Sequence, residues 1–453
     1  HDIIINYRCI TKFFSKEISL LAMAALAVLT SDPAFQGNAA NTEIFLLLPM
    51  ILGFYFLFVF FERRNIPYLF LSGLSAGTAF MTKQVVLFPI LLMLTYLFHD
   101  VIKEKGPVLR NRFLHVGVFA LGGLLPFLLI VLFFQYHSAL NSFIQDAFIH
   151  NLSYSRNIPL HYYLQTFQHI MVDRQLTHNV ILFLFTGIGL LVILIRKPVK
   201  NKNLFGFWFF IFSVPSIMVA GYFRPHYFIL MHPSMAILIA VGISSTLNPA
   251  LDHLRIRSVW KNALYPAAVM AVLCIPVFHF RGIYFQKDPI LIGKMIYTTN
   301  PFDVAVEIGR YLEKHTEPED SIFIFGSEPE ILFYAQRRSA TKYIIFYPLM
   351  SEMENSLEQQ KEAYRELVAS KPEYIVIVEI QESLQIYPNA PRYLMEQVYD
   401  YLQDYEIEGL VLYDKRGFWP RLYWGEKARA WKQDPGKKNI RIYTRVRNAI
   451  VEP

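Results

Sequence analysis

Residues 67–98, PYLFLSGLSAGTAFMTKQVVLFPILLMLTYLF, constrain this chain more than any other stretch: 32 residues carry one charge, Lys83, near the middle. One straight helix of that length would run roughly 48 Å, against a bilayer hydrocarbon core of about 30 Å. It would also hold an ammonium near the bilayer centre at a cost of roughly 2.5–3.5 kcal/mol. The spacing therefore predicts two shorter spans that meet at a membrane surface near Thr82-Lys83-Gln84. Gly73 and Gly77 form a GxxxG pair that lets another helix approach, and Pro89 is expected to loosen the return span. Lys83 then reads either as a cation held at a membrane-embedded rim or as an amine that snorkels to headgroups.

Bulk properties agree with a polytopic α-helical membrane protein. Hydrophobic residues make up 54% of the 453, and charged residues only 17%, below the roughly 25% usual in soluble domains. The formal net charge of +7 reads as loop charge rather than a nucleic-acid-binding surface. Two cysteines, Cys9 and Cys274, are too few for a disulfide framework. The chain opens on His1 with no signal-peptide pattern before the first apolar run, which raises the expectation of a natural N-terminus further upstream.

About nine spans are expected: Ile18–Thr30, Ile44–Phe61, the two within 67–98, Phe113–Tyr136, His178–Ile195, Leu204–Tyr222, Tyr227–Leu247 and Ala263–Phe280. Segment 137–177 is too polar to span and too aromatic for a plain linker, so amphipathic helices at the interface fit it best. The transmembrane domain is placed at 1–283 and a soluble α/β domain at 284–453. In that domain strand patterns fall at 321–326, 342–348, 373–380, 407–413 and 440–446, alternating with helical patterns at 303–315, 328–338, 354–369 and 391–403. Ser327 and Glu330 have the spacing of a capping box.

Basic residues set the orientation. The loops at 1–17, 62–66, 99–112, 196–203 and 248–262 carry 16 Lys or Arg, and the alternate segments carry 4. By the positive-inside rule the first set is cytoplasmic. Glu43, Lys83, the 137–177 segment, Arg224 and the C-terminal domain are then extracytoplasmic.

On that face lie candidate functional groups. Lys83 and Arg224 are cations at span ends, Arg with a planar fork suited to phosphate and Lys as a point charge. His226 and Tyr227 add donors. Tyr154, His161, Tyr162, Tyr163, His169 and Asp173 could recognise a sugar through aromatic faces and polar groups, or form an interfacial aromatic belt. Glu43, at the mouth of the Ile44 span, could cap the helix or orient a hydroxyl acceptor. No His/Cys/carboxylate cluster has metal-ligand spacing.

Asn41-Thr42-Glu43 leading into a span, GLSAGTAFMTK at 73–83 and RPHYFILMHP at 224–233 together resemble the C-type membrane glycosyltransferases. The resemblance is to glycosyltransferase family 39, with its protein O-mannosyltransferases and lipid A aminoarabinose transferases. GSEPEILFYAQRRSATKY at 326–343 is similar to the outer domain of bacterial members. The resemblance implies a polyprenyl-phosphate sugar donor, a lipid, glycan or protein acceptor, and inversion at the anomeric carbon, often without a metal or other cofactor. It implies a cell membrane, bacterial and inner, as the location. Lys83, Arg224, His226 and Tyr227 would hold the donor phosphate, and Glu43 would be a catalytic or supporting carboxylate. The family's principal acidic motif follows its first span, and no such segment precedes Ile18 here. A flippase for lipid-linked sugars or a noncatalytic membrane scaffold are the alternatives. A flippase commonly carries inverted repeats, and none is visible.

Overall fold

The computed structural model describes residues 2–103, 109–149, 151, 160–195, 204–219, 221–254, 256–297, 300–353, 355–414, 419–432 and 438–446. The chain forms two compact units, His1–Phe285 and Gln286–Pro453.

Every regular element described in the first unit is helical. The apolar helices are α2 (Lys16–Ser31), after a short α1 (Asp2–Ile10), then α3 (Thr42–Arg63), α4 (Ile66–Thr82), α5 (Leu87–Lys103) and α6 (Leu109–Tyr136). Next come α7 (Leu140–Ile144) and α8 (Leu160–Phe167), each followed by a π-helical turn, at Gln145–Ile149 and Gln168–Leu176. The unit closes with α9 (Thr177–Ile195), α10 (Phe205–Met218), α11 (His232–His253), α12 (Ser258–His279) and α13 (Arg281–Tyr284). The nine expected spans correspond to α2–α6 and α9–α12. Among the described residues five helices are long and apolar enough to cross a membrane; α2, α4, α5 and α10 have 16, 17, 17 and 14 residues.

The break at Lys83 has a clear local cause. α4 stops at Thr82, Lys83 turns extended (φ −160°, ψ 126°), and a 3-10 turn over Gln84–Val86 leads into α5. Pro89 differs from its expected role. It lies in the first turn of α5, where a missing N–H leaves no bond unmade, so the break precedes it and owes nothing to a kink.

Small residues set the helix crossings. A Cβ at Gly73 would collide with the Phe119 carbonyl of α6, and one at Gly77 with the Gly123 carbonyl. The expected GxxxG contact is therefore made, backbone against backbone. A second crossing pairs Gly189 of α9 with Leu238 of α11, and Gly242 with Phe185. α11 is enclosed on all sides: every residue from His232 to Ile243 is buried, as for a helix apolar all round.

The second unit is a six-stranded sheet in the order β2-β1-β3-β6-β4-β5. Its strands are β1 (Ser321–Phe325), β2 (Arg338–Ser339), β3 (Tyr374–Glu379), β4 (Tyr405–Tyr413), β5 (Pro420–Trp424) and β6 (Asn439–Arg445). β1 is parallel to β2 and β3, while β6 and β4 are antiparallel to their neighbours. Alternation splits the core: Ile322, Ile324, Val376 and Val378 pack on one face, Phe323, Phe325, Ile375 and Ile377 on the other. The helices are α14 (Pro289–Tyr297), α15 (Phe302–Lys314), α16 (Pro329–Ala335), α17 (Ser356–Ser370), α18 (Gln381–Leu384), α19 (Tyr393–Tyr401) and α20 (Glu426–Arg429).

Two sequence expectations in this unit are corrected. Residues 342–348 are not a strand: the N–H groups of Phe346 and Tyr347 donate to the Ser327 hydroxyl at 3.0 and 3.2 Å. That use of Ser327 also removes it from the expected capping box, and α16 starts after Glu328 instead.

Glu328 is only 4% exposed, and its carboxylate accepts from the Ser383 hydroxyl at 2.8 Å and the Ser327 N–H at 2.7 Å. Burial pushes its carboxyl up to about 7, opposed by the Ser383 bond, with Glu330 adding repulsion and the Ser327 N–H opposing it. The native state thus holds a proton that the unfolded chain releases near its ordinary value of 4.5. Stability from this group is complete below that value and falls as pH rises toward about 7. Glu328→Gln should remove this dependence and stabilise the unit at pH 8 by about 2–3 kcal/mol. Denaturant unfolding at pH 5 and pH 8 measures it; an unchanged pH dependence in the variant would contradict the assignment.

Candidate active site

The candidate site lies where three irregular segments of the first unit meet. These are the turn after α2, the break at Lys83 and the 3-10 helix Pro225–Met231. Each is fixed by local chemistry. Asp32 caps the first turn by accepting from Ala34 N–H at 2.7 Å, and Phe35 is fully buried against the rings of Phe228 and His232. Arg224 leads into the third segment in an extended conformation set by the following Pro225.

The sequence-predicted residues gather here in part. Lys83 forms an ion pair with Glu43, and its ammonium lies 4.2 Å from the centre of the Tyr227 ring. The Glu43 side chain is 1% exposed and that of Lys83 26%. Glu43 sits in the first turn of α3, and α3 begins after Asn41. Its enclosed position suits a counter-ion for Lys83 better than a base for an acceptor. Tyr227 meets His226 edge-to-face at 5.0 Å. The charges of Glu43, Lys83 and Arg224 all act on His226.

Beside this group is a cavity of about 670 Å³. Thr42, Thr82, Lys83, Gln84, Asn151, Ser216 and Tyr227 supply its polar wall. Phe80, Val85, Leu87, Phe88, Phe148 and Val219 form the apolar remainder. Gln84 donates to the Ala147 carbonyl at 3.3 Å, and Ser216 donates to the Val85 carbonyl at 2.9 Å, which fixes the floor around the helix break.

Other expected residues are not brought in. His161 and Tyr162 are exposed on α8 and do not line the cavity. Tyr163 packs on Phe223, with ring centres 4.8 Å apart, and His169 lies in the second π-helical turn. Tyr154 and the Asp173 side chain lie outside the described residues. Among the described residues, Ala147, Phe148 and Asn151 are what the 137–177 segment contributes to the cavity wall. Sequence reasoning also missed Gln36, whose side-chain oxygen is 2.9 Å from His226 Nδ1. An isolated glutamine in a polar loop gives no signal. Among the described residues no group of three or more His, Cys, Asp or Glu could hold a metal ion.

The sequence profile of a family described as dolichyl-phosphate-mannose-protein mannosyltransferase matches residues 2–131. The crystal structure of ArnT from Cupriavidus metallidurans bound to undecaprenyl phosphate superposes with a TM-score of 0.55 at 12% identity. That match covers 98% of this chain and 82% of the other. No curated protein matches by sequence. The chain is a multi-pass membrane protein that shares its fold with that structure.

Proposed function

We propose that this protein is a membrane glycosyltransferase that takes a sugar from a polyprenyl-phosphate-linked donor and passes it to an acceptor on the extracytoplasmic face. The observation that carries the reading is Lys83, with Tyr227 over it, at the head of the apolar-walled cavity. A lipid phosphate needs a cation where its polar head begins and apolar walls where its chain continues. The phosphate would lie by Lys83 and Arg224, and the first isoprene units along Phe80, Phe88 and Phe148. As the anomeric bond breaks, negative charge grows on the leaving phosphate, and fixed cations there lower the barrier. The family profile and the ArnT-like fold support the same reading.

The test is a transfer assay with purified protein in lipid, using radiolabelled polyprenyl-phosphate sugars and a membrane extract as acceptor source. The reading requires a new glycosidic bond and released polyprenyl phosphate. Movement of the donor across vesicles with no bond formed would identify a flippase instead.

The proposed orientation places loop 31–43 and the second unit outside a bacterial inner membrane. Asp32 is fully buried, so Asn38 and Ser142, both exposed, are the informative positions. Cysteines there should react with an impermeant maleimide in intact cells, and one at exposed Asn65 should react only after lysis. Labelling at 65 in intact cells would reverse the orientation.

A further inference from the structure

We infer that Gln36 is a positioning residue that holds His226 with its proton on Nδ1, leaving Nε2 to accept a hydrogen bond from a substrate hydroxyl. The inference rests on the sugar-transfer reading for the identity of the hydroxyl, and on geometry alone for the tautomer.

Gln36 is a fixed platform. It adopts the left-handed conformation (φ 54°), its N–H donates to the Pro33 carbonyl at 3.0 Å, and its carbonyl accepts from the Asn41 side chain at 3.0 Å. Gly37 follows because a Cβ there would collide with the Thr30 carbonyl. With Phe35 clamped between Phe228 and His232, the turn has little freedom to withdraw the Gln36 side chain. Its Oε1 faces His226 Nδ1 at 2.9 Å. An amide oxygen only accepts, so the imidazole nitrogen facing it carries the hydrogen. In the neutral ring the other nitrogen is then bare. Among the described residues no hydrogen bond occupies Nε2.

This changes what His226 can do. A bare Nε2 cannot donate to a phosphate, so the phosphate-holding role implied by family resemblance falls to Lys83 and Arg224. Nε2 suits a hydroxyl, either of the transferred sugar or of the acceptor. The charged groups acting on His226 are Glu43, Lys83 and Arg224. The cations already supply the positive charge a phosphate needs, and a neutral imidazole adds direction without adding charge.

The test uses full-length protein carrying ¹⁵N-histidine, with the His226 signals identified by their loss in His226→Gln. The wild type should show protonated Nδ1 and bare Nε2. Gln36→Met keeps the side-chain length and removes the acceptor, so the protonated Nδ1 signature should be lost. Gln36→Glu, which keeps an oxygen opposite Nδ1, should retain it. In the transfer assay Gln36→Met should lose about two- to tenfold in turnover, the net worth of one hydrogen bond, and Gln36→Glu should recover most of it. A protonated Nε2 in the wild type, or a Gln36→Met protein with wild-type spectrum and turnover, would overturn the inference. If the wild type transfers no sugar, the functional reading fails while the spectra still decide the tautomer.

Discussion

Lys83→Met is expected to lose both thermal stability and donor affinity. The stability loss arises because Glu43, 1% exposed, is left without its partner. Breaking an enclosed pair from one side costs about 3 kcal/mol, more than an exposed pair would. The affinity loss arises because a charge-assisted contact to phosphate is removed, worth about 10- to 100-fold. The two effects separate in the double variant Glu43→Gln/Lys83→Met, which has no orphaned charge. Its melting temperature should return toward wild type while its affinity for a polyprenyl phosphate stays low. Recovery of both would make the pair structural and remove Lys83 from the donor site. Arg224→Lys should weaken donor binding less than Arg224→Met, since charge remains and only the fork is lost.

Gly77→Val should be among the most damaging single changes in the first unit. The new side chain would meet the Gly123 carbonyl of α6, which is backbone and cannot rotate aside. Overpacking in a tight interior costs about 1–3 kcal/mol, and a rigid neighbour puts this site at the upper end. Because Lys83 caps the same helix, displacement of α4 should also weaken donor binding. Gly117→Val is the matched control: it is on α6, and a Cβ there meets nothing within 4 Å. Melting temperatures in detergent compare the two. Equal values would mean that α4 and α6 do not cross this closely.

Much of the fold was legible because its causes are local. A lone lysine in an apolar run too long for one span forces a break, and the break is at that lysine. The GxxxG pair meets a helix backbone as its spacing implies. The apolar runs at 321–326 and 373–380 are read correctly as strands because both faces of the central strands are covered, which makes them continuously apolar. Residues 342–348 look equally strand-like, yet Ile344 and Ile345 are exposed, while Phe346 is fully buried against Phe323 and Phe325. β5 escapes notice because it opens on Pro420, a residue suited to an edge strand and to little else in a sheet.

The site was legible in its members but not in its pairings. Lys83 and Arg224 stand out as cations between apolar spans. That Glu43 pairs with Lys83 from 40 residues away, or that Gln36 reaches His226 from 190 away, is set by helix packing. A single sequence holds no local trace of either.

The strand order of the second unit bears on how the protein is made. β6, the last of the described strands in sequence, lies between β3 and β4 and pairs with both. During synthesis the parallel half and the β4–β5 hairpin therefore wait unjoined, each with an open edge, until residues 439–445 leave the ribosome. A nascent chain stalled or truncated before Asn439 exposes two unpaired strand edges at once, the arrangement most prone to pairing with another chain. The sheet consequently closes only once residues 439–445 are made, and until then quality-control proteases should meet it as one incomplete piece rather than as a sheet that grows strand by strand.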